Sequence, residues 1–168
     1  MRLIIPASCL ALAAAIVSST GVSQTPKAVA APLNAQSVAL TTAARSALGG
    51  GQLDEAAGLL ETALAVDPRN RGAYVLLGDV SRRQGLPGKA IRFYREALAL
   101  DPNDRAALAG QGEALVAKGA VAKARENLAK LAKLCGGNCP EQASLAAAIT
   151  RGPPVVAQAQ GQPTSAVQ

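Results

Sequence analysis

Histidine and tryptophan are absent from the 168-residue chain, and its only aromatic residues are Tyr74, Phe93 and Tyr94. Without histidine, the commonest general base and the commonest metal ligand are missing. A wide sheet sandwich, rich in β-branched and aromatic side chains, is disfavoured by the same scarcity. Cysteine is rare too, with only Cys9, Cys135 and Cys139. What the chain has in excess is alanine, at 38 residues. Alanine is the best helix former, so the composition predicts an all-α protein whose helices approach closely through small side chains.

The first 30 residues read as a secretory signal peptide. Met1 and Arg2 give a positive start, Leu3 to Val17 is mostly apolar, and small and polar residues follow from Ser18. Ala28-Val29-Ala30 fits the small-residue cleavage pattern, with earlier options ending at Ser19 or Gly21. At about 15 residues the apolar run is shorter than the roughly 20 needed to cross a bilayer, so no membrane span is expected after cleavage. Cys9 lies inside the run rather than after it, which disfavours lipidation. The expected location is therefore periplasmic or secreted, with Ala31 to Gln36 as a short linker. Loss of Arg2 and Lys27 would lower the net charge from +6 to +4. The remaining cations are interspersed with acids, without the basic stripe and aromatic platforms of a nucleic-acid footprint.

The middle of the chain repeats at 34 residues. Val66-Asp67-Pro68-Arg69-Asn70 returns as Leu100-Asp101-Pro102-Asn103-Asp104. The same step aligns Gly51, Gly85 and Gly119; Ala56, Ala90 and Ala124; and Leu60, Tyr94 and Leu128. Within each unit the apolar residues fall at helical spacing, as in Tyr74, Leu77 and Ser81, or Ala90, Phe93, Tyr94 and Ala97. Gly85 stands where a first helix must end, and Asp101-Pro102 stops the second. Helices are predicted over residues 37–48, 53–66, 71–84, 88–100, 105–118, 121–134 and 140–150. A helix pair cannot bury its apolar face alone, so stacked copies share one core.

Cys135 and Cys139 bracket a predicted helix–helix turn, Gly136-Gly137-Asn138. Pro140 suits a first helical turn, and Glu141 complements the helix dipole. In an exported chain the leading reading is a structural disulfide, contributing about 2 kcal/mol through a loop this short. It would fix the final helix, in which Leu145 and Ile149 form an apolar pair that covers the open end of the stack. A thiol–disulfide redox role is the alternative, although the pair lacks the usual two-residue spacing. Zinc would need further ligands that a chain without histidine does not supply. Beyond Arg151 the chain has no charge and no aromatic, so residues 151–168 read as a disordered tail.

The central copy resembles the tetratricopeptide repeat: Tyr74, Leu77-Gly78, Gly85, Ala90, Tyr94, Ala97 and Pro102 match its pattern in order and spacing. The flanking copies depart from it, with Leu40 and Ala43-Ala44 in the first, and Leu108, Gln111-Gly112 and Leu131 in the third. The resemblance implies a right-handed α-solenoid of three helix pairs, 37–70, 71–104 and 105–136, plus a capping helix over 140–150. It also implies a concave groove, lined by the first helices, that binds a peptide or protein segment. The groove positions would be Thr41, Arg45 and Leu48; Val75, Asp79, Arg82 and Arg83; and Ala109, Glu113 and Val116. Arg45, Asp79 and Glu113 occupy one equivalent position, and are expected to form a ladder of charge that orients the partner. The cation and amide set with which some members hold a terminal carboxylate is missing. Gly49-Gly50-Gly51 is not followed by the Lys-Ser/Thr of a phosphate loop, and no nucleophile–base pair or paired-carboxylate pattern is present. No enzyme activity and no cofactor are expected. The expectation is a non-catalytic scaffold of a bacterial-type envelope, or else a subunit of a pilus, secretion or envelope-assembly machine.

Overall fold

The computed structural model of the protein describes residues 31–154. The expected signal peptide, and the tail from residue 155 onward, lie outside the described residues. Within them are seven helices and no strand: α1 (Ala35–Gly49), α2 (Leu53–Val66), α3 (Arg71–Arg83), α4 (Pro87–Leu100), α5 (Arg105–Ala117), α6 (Val121–Cys135) and α7 (Pro140–Arg151). None is long and apolar enough to cross a membrane.

The helix starts follow from local chemistry. Asn70 and Asp104 cap α3 and α5, their side-chain oxygens accepting from the N–H groups of Ala73 and Ala107 at 3.2 and 2.7 Å. Three residues before each cap, an aspartate closes the corner: Asp67 accepts from Arg69 N–H and Asp101 from Asn103 N–H, both at 3.0 Å. The repeated Asp-Pro corner therefore ends one helix and starts the next. Inside each pair the turn passes through Gly51, Gly85 or Gly119, at φ between 72° and 78°. That left-handed backbone is strained for any residue with a Cβ.

The first helix starts earlier than the repeat spacing predicts. Ala35 and Gln36 are helical, not linker, because Asn34 caps them: its Oδ1 accepts from Gln36 N–H at 2.8 Å. The backbone N–H of Asn34 donates to Asp67 Oδ2 at 3.0 Å, tying the start of α1 to the end of α2.

Helices pack as pairs, α1 on α2, α3 on α4 and α5 on α6, and each pair stacks on the next. The odd-numbered helices also touch one another in series, whereas α2, α4 and α6 do not. An array whose first helices meet and whose second helices splay curves toward the first. Helix α7 packs on both α5 and α6, as α5 does on α3 and α4, so it occupies the place of a first helix in a fourth unit. Its Leu145 is fully buried.

The core follows the alanine-rich composition. Ala44, Ala56, Ala63, Ala73, Ala90, Ala97, Ala107 and Ala124 have no exposed surface, and the space left between them is filled by Leu60, Leu77, Val80, Leu131 and Tyr94. Tyr94 is the largest fully buried side chain. Its ring lies between α3 and α5, where a methyl group placed on either Gly78 or Gly110 would come within 3 Å of ring carbons. Glycine is required at both positions by this close approach, since both are ordinary helical residues.

Candidate functional site

The odd-numbered helices carry a polar network that begins at the buried ring. The Tyr94 hydroxyl, reaching from α4 across to α3, donates to Asp79 Oδ1 at 2.6 Å. Arg82, one turn further along α3, lies 3.6 Å from Asp79 Oδ1, and its Nη2 pairs with Glu113 of α5. Ser144 of α7 donates to the other oxygen of Glu113. Four helices are thus joined by one chain of contacts, Tyr94–Asp79–Arg82–Glu113–Ser144.

Burial sets the protonation states in this network. It raises the Asp79 carboxyl above its ordinary range, opposed by the Tyr94 hydroxyl and the Arg82 and Arg83 charges. It raises the Tyr94 phenol still more strongly, helped by the Asp79 charge and hydrogen bond. Burial works against the charge on Arg82, but Tyr94, Glu113 and Asp79 outweigh it, and its pKa rises. At neutral pH the phenol stays a donor and the guanidinium stays charged. The network is a fixed array of charges rather than a proton-transfer site.

Beside it lies a cleft of about 670 Å³. Its walls come from the ends of α3 and α5, the start of α4 and the last turn of α7: Arg82 and Pro87, Glu113 and Val116, Ala148 and Arg151. Among the described residues Arg151 has no ion-pair partner, so it presents a free charge at the rim, while Arg82 is held by Glu113.

The ten residues expected to face a groove divide into three groups. Asp79, Arg82 and Glu113 are brought together as described, but they satisfy one another and do not stand out as a ladder. Arg45 is exposed and separate, and Val75 is half-buried beside the Tyr94 cluster. Arg83 reaches back to α1, donating to the Leu48 carbonyl at 2.9 Å. Thr41, Leu48, Ala109 and Val116 are buried, with 4 to 7% of their surface exposed, and of these four Val116 alone lines the cleft. Thr41 donates to Ser37 O and accepts from Asn70 Nδ2, both at 2.8 Å, within the seam between α1 and α3. Thr41, Leu48 and Ala109 fail as groove residues because a first helix is packed on both sides by its neighbours, leaving only a narrow strip to solvent. Ser144 and Arg151 were not expected at the site. The 34-residue alignment ends before α7, and only the recognition of α7 as another first helix would have pointed to them.

At the far end of α6, Cys135 and Cys139 lie at disulfide distance, with Cα atoms 5.7 Å apart. They stand at the last position of α6 and the N-cap of α7.

The family model described as Tetratricopeptide repeat matches residues 41–105 and 89–140. Among curated proteins, the chain is similar to Protein NPGR1 of Arabidopsis thaliana, 42% identical over 53 residues. That segment is 32% of this chain and 8% of the relative, so the chain spans only a small part of it. Among solved structures, the TPR domain of Sgt2 from Aspergillus fumigatus superimposes with a TM-score of 0.65 at 19% identity, covering 80% of this chain and 90% of that one. The first TPR domain of Spaghetti (RPAP3), solved with an HSP90 peptide, gives 0.63 at 19% identity, covering 69% and 91%. The O-GlcNAc transferase of Thermobaculum terrenum gives 0.63 at 28% identity, covering 68% of this chain and 22% of that one.

Proposed function

Because the chain belongs to the tetratricopeptide repeat family, we propose that it is a non-catalytic scaffold that captures a peptide or protein segment along its odd-numbered helices. The observation that carries this reading is the cleft among α3, α4, α5 and α7, a concave apolar space with Arg151 free at its rim. Small-residue walls formed by Ala114, Ala117 and Ala148 leave room for a partner's side chains. The Arg82–Glu113 ion pair gives it a polar floor of fixed geometry, which lowers the ordering cost of binding. A domain of the same fold solved with a peptide supports this mode of use.

The proposal extends to location. The positive start, apolar run and Ala28-Val29-Ala30 pattern direct the chain out of the cytoplasm of a bacterial-type cell. There the Cys135–Cys139 bond would hold the cap formed by α7. Mass analysis of the exported chain is expected to find Ala31 as the first residue, and an uncleaved cytoplasmic product would overturn the placement.

Photo-crosslinking tests the binding face. A crosslinking residue at Arg45, Val75 or Arg151 should give a discrete adduct with a partner, and one at Arg92 or Arg125 on the second helices should not. Equal adducts from both faces, or none from the first, would remove the proposal.

A further inference from the structure

The start of α7 has an unmet electrostatic demand. Among the described residues only two buried side-chain acceptors have no hydrogen-bond partner, Glu141 Oε2 and Gln142 Oε1, and both lie in the first turn of α7. A carboxylate oxygen of Glu141 also lies within 4.8 Å of the sulfurs of both Cys135 and Cys139. No other group of three Cys, Asp or Glu side chains among the described residues converges in this way. A carboxylate within 4.8 Å of two sulfurs, with one oxygen buried and lacking a donor, is an electrostatically incomplete arrangement. It suits a cation.

The geometry points to a redox-gated metal site, in which reduced Cys135 and Cys139 together with Glu141 bind a thiophilic divalent cation of the zinc class. A dithiol reductant opens the pair: two electrons pass to the cystine, two cysteine thiols form, and the reductant becomes a disulfide. Each thiol then loses its proton to water as its sulfur bonds to the metal, so two protons leave for each cation bound. Two thiolates and one carboxylate form a set that zinc accepts, with a solvent molecule completing four-coordination. About 3.8 Å between the sulfurs is what tetrahedral Zn–S bonds of about 2.3 Å require. Gly136 and Gly137, between the two cysteines, give the turn the freedom to open by that amount. The bonded pair is the closed state, which excludes the cation.

The test uses the full chain carrying Cys9→Ser, reduced with a phosphine that does not itself compete for metal. Cobalt(II) is titrated in, and the near-ultraviolet thiolate–cobalt band and proton release are recorded. One cobalt per chain, two protons released and displacement by zinc are expected, with no band in the oxidised chain. Glu141→Gln should raise the apparent Kd by about ten-fold or more, since loss of even an outer partner of a metal ligand has that effect. Should that variant lose its helical circular dichroism, Glu141→Asp replaces it and should bind more tightly than any form lacking the carboxylate. Absence of the band in the reduced parent, or binding by a folded Glu141→Gln chain equal to that of the parent, would overturn the proposal.

Discussion

The hydroxyl of Tyr94 donates to Asp79 Oδ1 at 2.6 Å, and the ring that carries it separates Gly78 on one helix from Gly110 on another. One side chain therefore spaces two neighbouring repeats through its ring and holds the polar network through its oxygen. The two roles can be separated by substitution.

Tyr94→Phe keeps the spacer and removes the donor. Asp79 retains 35% of its side-chain surface in water, so the loss should be about 1 kcal/mol, as for an ordinary hydrogen bond and less than for a fully buried one to a charged group. That corresponds to a fall of about 4 °C in Tm. The Asp79 carboxyl should also titrate higher than in the parent, because the hydrogen bond that lowered it is gone. Carboxyl-resolved NMR titration checks this, and an unchanged midpoint would contradict the assignment.

Glycine replacements in α5 should differ according to what they meet. Gly110→Ala drives a methyl against the rigid Tyr94 ring, and overpacking of this kind costs about 1–3 kcal/mol. Gly112→Ala meets both terminal methyls of Leu145 at 2.6 Å and its Cγ at 3.2 Å; Leu145 is fully buried, but its chain end gives more readily than a ring. The helix-propensity gain of about 1 kcal/mol then offsets part of the cost, leaving it smaller than that of Gly110→Ala. Urea denaturation of both variants is the measurement. In a Tyr94→Leu background the Gly110→Ala cost should shrink, as expected for residues in direct contact.

Acid should weaken the first corner in a defined window. Asp67 accepts from the Arg69 guanidinium and from the Asn34 and Arg69 N–H groups, and its pKa falls to about 2. A carboxyl depressed in the folded state contributes fully above its unfolded value, near 4, and loses that contribution as the pH falls toward 2. Asp79, raised by burial, acts in the opposite sense and is relieved by protonation. Asp67→Asn should therefore melt below the parent at pH 5, with the gap closing as pH 2 is approached. A gap independent of pH would refute the ionic role of Asp67.

Replacing Cys135 and Cys139 by serine should act locally. The loop between them is short, so the constraint lost from the unfolded chain is about 2 kcal/mol at most. Hydrogen exchange should speed up in α7 while α1 to α4 keep their protection. Uniform acceleration across all seven helices would show that the pair supports the whole stack.

The helices were legible in the sequence because their ends are written in backbone chemistry. Gly85 and Gly119 close first helices, Asp67-Pro68 and Asp101-Pro102 close second ones, and every helix was placed to within two residues of its observed ends. The early start of α1 lies outside the 34-residue pattern, since it depends on the Asn34 cap, whose own backbone N–H is held by Asp67 33 residues away. The fold class and the helix pairing followed from the same 34-residue period. The site was less legible. Thr41 and Ala109 occupy the same repeat position as Val75 but are more deeply buried, since the environment of each depends on the neighbouring helix and not on its own pattern. Arg82 and Glu113 both read as groove positions, but nothing in the 34-residue pattern pairs them across repeats as the structure does.

The Asp-Pro corners act as the array's ruler. Asp67 and Asn70, like Asp101 and Asp104, fix the number of residues between one helix and the next by bonding both ends of the same four-residue segment. One residue added at the Asp101 corner would break the bonds that set where α5 begins and shift the Gly110 notch away from the Tyr94 ring that it admits. Length changes in this chain should therefore be accommodated in the glycine bends inside a pair, while the joints between pairs keep count.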